Sequence, residues 1–564
     1  MKHHMHRTNG MFRLNAIALA LVAGSGLAVA TEITTGNDDL KMRWDNTVRY
    51  NLGVRMEGQD SRILRSNSYD ESDSKFGKHD IVMNRLDLLS EMDLNYKGEF
   101  GARVSASGWY DHAYHDRTVT SPAGGVTSYF GNEYNSKVKR YVNGPSGEFL
   151  DAFAWTNFNL GEVPVNVKLG RHALVWGEGL FIGAHAISYS QAPVDGQKAV
   201  SSPGIETKEV FLPLNQLSLK AQVTNDLSLA AQYFLEWKET RAPNGGTYLM
   251  GADTAPNVDR LNIGGGFAAP NVEAYKPKSR GNWGVMAKLN VDSIGSTLGA
   301  YYREFDDYNP ENGIQFRSLA GALPTSFRFV YAQNTKLLGL SLARAIGPVS
   351  FGSELSYRKN ASLNSTGAYV ALAGSRPDVD TGARGDTLHA VANGVYLLPK
   401  TALWDAGSFA GELAFSHLQK VTTNRQLYRG VGETACTVTA GTGTGPGNES
   451  DGCSSKNFLQ MAFNFAPSYL GIFPSWDLAV PISVNYGLKG VAPSASGGFE
   501  KLLTWSIGTN LTYLGKHEFS LRYADINAPS KYNAAGVLAG GGASGGSVGA
   551  TDRGWLAATY RTSF

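Results

Sequence analysis

The chain lacks the features by which many enzymes and nucleic-acid-binding proteins are recognised. Its 564 residues include two cysteines, and 51 Lys and Arg side chains nearly balance 49 Asp and Glu, for a net charge of +2. A balanced charge offers no electrostatic support for binding nucleic acid. The sequence contains no phosphate-binding loop, no HExxH helix and no paired-cysteine motif, so neither nucleotide hydrolysis nor zinc catalysis is indicated. We expect no enzyme activity, no metal and no cofactor.

Long hydrophobic runs without charges are also missing after the first thirty residues, which disfavours a helical membrane protein. Basic residues precede an apolar run over residues 14–29, and Ala28-Val29-Ala30 fits a signal-peptide cleavage site. This run is broken by glycine and falls short of the ~20 apolar residues that a spanning helix needs. We predict a signal peptide over residues 1–30 and one domain over residues 31–564; a transmembrane anchor is the alternative.

The two cysteines lie close together in a segment rich in Gly, Thr and Ser. Cys436 and Cys453 fit one disulfide bridge formed in an oxidising compartment outside the cytoplasm. Such a bridge would cross-link two positions of a single loop. Two free thiols are the alternative.

The last ten residues alternate strictly and end on an aromatic side chain. One parity consists of Leu556, Ala558, Tyr560, Thr562 and Phe564. In a lipid-embedded barrel one parity meets hydrocarbon and the other meets the lumen, so alternation persists through each strand. The ending is similar to the C-terminal signal by which outer-membrane barrels are inserted, and we assign that signal to Phe564 and Tyr560.

The same alternation recurs along the chain. Apolar residues of one parity face polar residues of the other in segments near residues 42–56, 85–96 and 100–111. Helical periodicity cannot produce this pattern. Later segments repeat the alternation. One example has Leu217, Leu219, Ala221 and Val223 on one parity, and another has Phe519, Leu521 and Tyr523.

Connections between these segments alternate between short and long. Tight turns occur at Lys97-Gly98, Asn225-Asp226, Gly347-Pro348 and Leu514-Gly515-Lys516. Polar segments separate the hairpins at residues 57–81, 113–148, 241–280, 307–331, 361–383, 422–456 and 527–552. We predict an all-β transmembrane antiparallel barrel of about eighteen strands, with sixteen as the alternative count. A soluble β-sandwich or propeller is the alternative fold, although its strands are usually shorter.

Several phrases also carry a family resemblance. The stretch "KLGRHALVWGEGLFIG", followed by "QAPVD", "ETKEVFLPLNQLSL" and "GSELSYRKN", resembles the domain-of-unknown-function 1302 family of proteobacterial outer-membrane β-barrel proteins. The resemblance implies a Gram-negative outer-membrane barrel, frequently encoded beside a periplasmic lipoprotein-sorting-like protein and an RND-type exporter. It also implies gene neighbourhoods for degrading terpenes, steroids or aromatic esters. The chain departs from the family phrase at His172, Gly179 and Ala184-His185-Ala186.

Residues 171–211 break the alternating pattern. The segment is too long for a turn and too apolar for a freely solvated loop. We hypothesise that it folds into the lumen as a constriction or partial plug lined by Arg171, Trp176, Glu178 and Asp195. An ordinary outer loop packed on itself is the alternative.

Charged residues also fall on the parity expected to face the lumen. Arg49 and Arg103 are basic, whereas Asp87 and Glu236 are acidic. Opposed rows of charge across a water-filled pore would orient dipolar solutes. The other interpretation is that these residues form ion pairs that brace neighbouring strands.

Two functions fit these expectations. The first is an outer-membrane channel or uptake protein that passes small hydrophobic organic compounds of terpenoid, steroid or aromatic type by passive diffusion. The second is a non-conducting barrel that acts as the outer-membrane partner of a periplasmic protein and an RND-type exporter. In both, the expected partners are the lipid bilayer, lipopolysaccharide and the barrel-assembly machinery, with no nucleic acid. A hydrolase on the barrel wall needs no local motif and is the enzymatic alternative.

Overall fold

The structure, a computed structural model, describes residues 31–203, 205–317, 319–320, 323–370 and 381–564. The signal-peptide prediction for residues 1–30 lies outside the described residues. The main antiparallel sheet has 20 segments; one is the short Thr31–Ile33, and two form a single strand interrupted at Val480 and Pro481. The described residues therefore contain eighteen barrel strands.

These strands follow one another around the barrel in chain order. They are β1 (Leu40–Arg55), β2 (Ile81–Tyr96), β3 (Phe100–Asp111), β4 (Ser146–Leu160), β5 (Val163–His172), β6 (Leu214–Gln222), β7 (Leu227–Phe234), β8 (Trp283–Val291), β9 (Ser296–Phe305), β10 (Thr335–Ile346), β11 (Val349–Ser362), β12 (Arg384–Leu398), β13 (Ala406–Thr423), β14 (Asn457–Phe473), β15 (Trp476–Ala479 and Ile482–Lys489), β16 (Leu503–Tyr513), β17 (His517–Asn527) and β18 (Trp555–Ser563).

The first and last strands close the cylinder. β1 pairs with β18 from Thr47 opposite Ser563 to Arg55 opposite Trp555, and it pairs with β2 along its other edge. Closure satisfies the backbone hydrogen bonds of both terminal strands, which a sheet surrounded by hydrocarbon requires. The predicted all-β barrel of eighteen strands is confirmed.

Short and long connections lie at opposite ends of the barrel. The turns occupy residues 97–99, 161–162, 223–226, 292–295, 347–348, 399–405, 474–475 and 514–516. The long connections comprise the described residues within 56–80, 112–145, 173–213, 235–282, 306–334, 363–383, 424–456, 490–502 and 528–554. The sequence pattern located all of the long connections except residues 490–502. Short turns at one end and long loops at the other are typical of outer-membrane barrels.

The long connections contain short elements of their own. The helices are Ser61–Leu64, Asp70–Ser74, Ser136–Val138, Gly196–Ser201, Thr207–Val210 and Gly545–Val548, and the single turns of 3₁₀ or π type are His112–Tyr114, Phe130–Asn132, Lys139–Asn143, Asp292–Ile294, Arg425–Leu427 and Glu449–Asp451. The short strands are Arg260–Gly264, Phe267–Pro270, Ile314–Phe316, Leu319–Ala320, Leu323–Pro324, Phe327–Arg328, Ala368–Val370, Ser530–Tyr532 and Leu538–Gly541. None of the helices in the described part of the chain is long and apolar enough to cross a membrane.

The two faces of the barrel wall differ in polarity. Outward positions carry exposed apolar side chains, such as Leu338 and Leu340, which are 59% and 57% exposed. Inward positions carry buried charges, including Arg49, Arg303 and Arg358. This inverts the arrangement of a soluble protein, since the barrel exterior is the face suited to hydrocarbon.

Aromatic pairs cluster near the short-turn end of the wall. Trp476 stacks on Tyr513 with ring centroids 4.8 Å apart, and Phe519 packs 5.0 Å from Tyr560. Tyr96 and Phe100 form a further pair across a tight turn at 4.8 Å. Aromatic girdles of this kind mark the membrane interface of transmembrane barrels.

The long connections pack together as an outer cap. Its core contains Tyr114, Tyr129, Tyr134, Tyr248 and Phe327, all nearly inaccessible to solvent. In residues 424–456, Cys436 and Cys453 form the predicted disulfide, and both are buried. The cap is thus a packed structure above the barrel mouth.

Candidate functional site

The connection between β5 and β6 lies inside the barrel. We call residues 173–213 the inserted segment. The segment contacts inward side chains of the wall on most sides of the lumen. At Gly339 on β10, a Cβ would lie 2.8 Å from Ile187, and at Gly284 on β8 it would lie 3.0 Å from the Trp176 ring. These glycines allow the segment to approach the wall closely.

Two wall carboxylates hold the first half of the inserted segment. Glu354 on β11 and Glu412 on β13 are both buried. Glu354 accepts hydrogen bonds from the backbone N–H groups of Glu178, Gly179 and Ile187, the last two at 2.9 and 2.6 Å. Glu412 accepts from the backbone N–H groups of Leu180, Phe181 and Ile182 at 2.5, 3.0 and 2.6 Å. The two carboxylates therefore accept hydrogen bonds from backbone N–H groups of an irregular segment that has no neighbouring strand.

Two wall arginines satisfy the opposite backbone groups. Arg303 on β9 donates to the carbonyl oxygens of Ile187, Tyr189 and Ser190 at 2.7 to 2.8 Å. Arg358 on β11 donates to the carbonyl oxygens of Ala184 and Ala186 at 2.8 and 2.9 Å. Since buried backbone polar groups need partners, these contacts account for the path of the segment across the lumen.

Ion pairs anchor the second half of the inserted segment. Arg49 on β1 forms two hydrogen bonds with Glu209, at 3.0 and 3.1 Å. Lys198 donates to Glu148 on β4 at 2.6 Å, and Ser202 donates to Asp87 on β2 at 2.9 Å. The segment is thus bound to the opposite side of the wall as well.

Three of the four residues expected to line a constriction lie in this segment. Trp176 is 5% exposed and packs against Tyr301 of β9. Glu178 pairs with Lys288 of β8 at 3.0 Å. Asp195 is buried, accepts from the backbone N–H of Lys198 at 2.9 Å and pairs with Arg241. All three are therefore engaged with neighbouring groups.

Arg171 and Glu236 do not face the lumen, contrary to expectation. Arg171 shares the parity of Leu169, which is 54% exposed on the outer face, and it donates to the Phe149 carbonyl oxygen at 3.2 Å. Glu236 follows the end of β7 at Phe234, where the alternation stops, and its carboxylate lies 3.9 Å from Arg171. The two residues form an outer-rim pair.

The inward charges of the wall contact one another directly. Arg85 pairs with Asp87 at 2.9 Å along β2. Arg103 on β3 contacts Glu91 of β2 and lies 3.5 Å from Asp151 of β4. These contacts fit the interpretation of wall-bracing ion pairs, rather than rows of charge separated by an open pore.

Sequence reasoning missed a buried histidine pair. His185 Nδ1 lies 3.0 Å from His389 Nδ1 on β12, and His185 Nε2 lies 2.7 Å from the Gly497 carbonyl oxygen. Burial lowers the pKa of His185 to about 3. The position of His185 in the family phrase was visible as a departure, but no signal in the sequence identified its partner 204 residues away.

The inserted segment leaves one part of the wall uncovered. In the described residues, no hydrogen bond or ion pair joins the segment to β15, β16 or β17. A cavity of about 540 Å³ lies there, bounded by the segment, the outer cap and the wall. Its inward wall residues are Ala462, Asn464, Ser483, Asn485, Thr504, Ser506, Arg522 and Ala524, and the segment contributes Phe181, Ala199 and Val200. We call this space the wall cavity.

The fold and this interior define a class of protein. A closed barrel with an apolar exterior, aromatic girdles and a polar lumen crossed by an inserted segment is a transmembrane β-barrel. More particularly, the chain belongs to the family described as "Protein of unknown function (DUF1302)", whose family model matches residues 11–564. The resemblance stated from the sequence is thereby confirmed. No curated protein matches the chain.

Solved structures similar to this one have low sequence identity to it. Acinetobacter baumannii OccAB4 is 10% identical, with 93% of this chain and 98% of that chain covered and a TM-score of 0.39. Pseudomonas aeruginosa OccK9 (OpdG) and a BenF-like porin from Pseudomonas fluorescens Pf-5 are each 9% identical, with the same coverage and TM-score. Values this low transfer no substrate or residue role to this chain.

Proposed function

We propose that the protein is an outer-membrane channel through which small organic compounds diffuse passively. The observation that carries this proposal is the wall cavity beside the inserted segment. On most sides of the lumen, large charged wall residues bind the segment. Beside β15, β16 and β17, the wall is lined by small side chains such as Ser483, Thr504 and Ser506. Solutes would pass along this uncovered wall.

The wall cavity has two chemically different sides. The barrel side carries hydroxyl and amide groups, whereas Phe181, Val200, Leu249 and Trp555 contribute apolar surface. Its volume of about 540 Å³ lies within the range typical of small-molecule sites. These features support solutes with an apolar body and a few polar groups, as expected for compounds of terpenoid, steroid or aromatic type.

Liposome swelling tests the proposal. Liposomes that contain the full barrel should swell faster than protein-free liposomes in aromatic or terpenoid solutes, with sugars as the comparison. Ser506→Trp fills the wall cavity and should slow swelling. Ile507→Trp is the matched control, because Ile507 is the next residue on β16 and its side chain is 43% exposed on the outer face. Equal rates for both variants and the wild type would contradict a path along this wall.

A non-conducting barrel is the second candidate, and one observation favours it. The inserted segment is held by two carboxylates, two buried arginines and several ion pairs, including Arg49 with Glu209. A segment bound this firmly could close the lumen. The absence of permeation for every solute, together with copurification of a periplasmic protein or an RND-type exporter, would support this function instead.

A further inference from the structure

We infer that Arg522 is an anion-recognition site in the wall cavity, and that the anion is the carboxylate of an organic acid with an apolar body. This inference deepens the proposed channel function and rests on it. Arg522 lies on β17, where Gly508 of β16 and Ala557 of β18 are its paired neighbours. Neither neighbour has a side chain long enough to cover the guanidinium.

Strand parity places Arg522 on the inner face of the wall. Leu521, the preceding residue, is 47% exposed on the outer face, and successive side chains in a strand point to opposite faces. Arg522 lines the wall cavity and is itself exposed. The cavity therefore receives a positive charge from a side chain that is not packed into the wall.

Arg522 also differs from the other inward arginines in its partners. Arg49, Arg103 and Arg303 all bind carboxylates or carbonyl oxygens. For Arg522, the described residues supply no hydrogen bond and no ion pair. Asp525 borders the same cavity, but it lies three residues further along β17 and has the opposite parity. In the described part of the chain, no ion pair joins Asp525 to Arg522. The guanidinium is therefore available to bind a ligand.

The chemistry of the cavity selects among anions. A guanidinium matches a carboxylate through two parallel N–H···O bonds. Phe181 and Val200 of the inserted segment offer an apolar surface within the same cavity. An acid with an aromatic or alicyclic body would contact both, whereas acetate or chloride would contact the charge alone.

The experiment uses benzoate as the probe and benzyl alcohol as its uncharged analogue. The full barrel is placed in planar bilayers across a KCl gradient, and the reversal potential and the block of current by benzoate are measured. We expect chloride preference in the wild type and loss of that preference in Arg522→Gln. The half-blocking benzoate concentration should rise about tenfold in this variant, as for loss of one charge-assisted hydrogen bond. Benzyl alcohol should act equally on both.

Two further variants separate charge from geometry. Arg522→Lys should keep the chloride preference and bind benzoate less well, because lysine lacks the planar fork. Arg344→Gln is the control, because Arg344 lies on β10 and has the outward parity of the exposed Leu338 and Leu340. Removing its charge should change neither the reversal potential nor the block by benzoate. An unchanged reversal potential and unchanged benzoate block in Arg522→Gln would overturn the inference.

Benzoate binding in detergent keeps this inference distinct from the channel proposal. Saturation-transfer NMR should detect benzoate on the wild-type barrel and weaker binding to Arg522→Gln. Such binding without any bilayer current would contradict the channel and leave the anion site standing. Equal binding of benzoate to the wild type and to Arg522→Gln would reject the anion site, whether or not the barrel conducts current.

Discussion

Charged side chains of the wall act as partners for irregular backbone. Glu354 and Glu412 each accept three backbone N–H groups, and Arg303 and Arg358 donate to backbone carbonyl oxygens. A strand would satisfy such groups through its neighbours, but the inserted segment has no sheet partner. The wall supplies these partners from side chains instead, so single residues control where the segment lies.

Removal of Glu412 should loosen the inserted segment. Glu412→Ala removes the acceptor of three backbone N–H groups, those of residues 180–182. The N–H of Ile182 is buried, and a buried group left unsatisfied costs about 1–3 kcal/mol. We expect hydrogen exchange of residues 178–187 to accelerate at least tenfold. Mass-spectrometric exchange in detergent measures this. Glu162→Ala is the control, because Glu162 lies in an exposed tight turn, and its exchange rates should equal those of the wild type. Wild-type exchange rates in Glu412→Ala would refute the anchoring role.

A buried acid in the outer cap should make the cap sensitive to pH. Glu71 is 4% exposed, and its Oε1 accepts from the backbone N–H of Ser128 at 2.7 Å. Within the part of the chain that the structure describes, its Oε2 has no hydrogen-bond partner. Burial raises the pKa of Glu71 above its usual value of 4.5, and the nearby Asp253 raises it further. The folded cap therefore binds a proton that the unfolded cap releases. The contribution of Glu71 to the stability of the cap is therefore fully present below pH 4.5 and declines as the pH rises toward the elevated pKa.

Glu71→Gln should remove this part of the pH dependence. The amide keeps the acceptor for Ser128 and cannot ionise. We expect the wild-type cap to be cut faster by protease at pH 8.5 than at pH 5.5, relative to an unstructured peptide at each pH, and the variant to show a smaller difference. Glu133→Gln is the matched control, since the Glu133 side chain is 64% exposed in the same cap. A pH effect of equal size in Glu71→Gln would argue against the assignment.

The inserted segment is the element on which the proposed diffusion of solutes depends. It occupies the lumen against β1 to β4 and β7 to β14, and the wall cavity lies beside β15 to β17. Its contacts are polar at the wall, and Trp176, Ile187, Tyr301 and Leu337 form a small apolar cluster. It can therefore be shortened without removing a strand from the barrel.

Replacement of residues 180–206 by a short Gly/Ser linker should raise single-channel conductance. The wall charges that hold the segment would then face water, which solvates them, so the barrel should still close. Recordings in planar bilayers measure the change. A matched replacement of residues 440–445, in the disulfide-bonded loop of the cap, should leave conductance near the wild-type value. If the shortened segment conducts no better than the wild type, it is not the constriction.

At the scale of the whole molecule, the barrel depends on pairing of its two ends. Asn46 and Phe564 exchange backbone hydrogen bonds at 2.7 and 2.8 Å, one residue beyond the last strand. Tyr560 packs 5.0 Å from Phe519, and its hydroxyl lies 2.9 Å from His517 Nδ1. The terminal strand is thus paired with β1 on one edge and β17 on the other, and it closes the barrel.

Deletion of Phe564 should slow assembly more than it lowers stability. The deletion removes one backbone pair and the terminal aromatic residue of the predicted insertion signal. We expect less heat-modifiable, folded barrel in outer membranes, with nearly normal refolding in detergent. Leu514→Ser is the control, because it removes an exposed apolar side chain from the same end of the barrel. Normal amounts of folded protein after deletion of Phe564 would show that assembly does not depend on that residue.

The sequence alone determined the strands, the turns and the extent of the inserted segment. Period-two alternation is a local property of each strand, so lists such as Leu217, Leu219 and Ala221 predict an inward and an outward face without knowledge of the neighbours. Turn and loop lengths then give the strand count. The sequence interpretation was misleading where a strand had already ended, as at Glu236. It was also misleading at Arg171, which was assigned to the irregular segment although it still belongs to β5 and takes the outward parity of Leu169.

Tertiary structure alone decided which charges meet and which remain free. The partners of Glu412 lie about 230 residues away in the chain, and nothing local encodes that distance. Arg49 and Arg522 look equivalent in sequence, each inward on an alternating strand, yet Arg49 binds Glu209 and Arg522 faces the wall cavity. The path of the inserted segment makes this difference, because it brings Glu209 to Arg49, whereas Arg522 has only Gly508 and Ala557 beside it on the neighbouring strands.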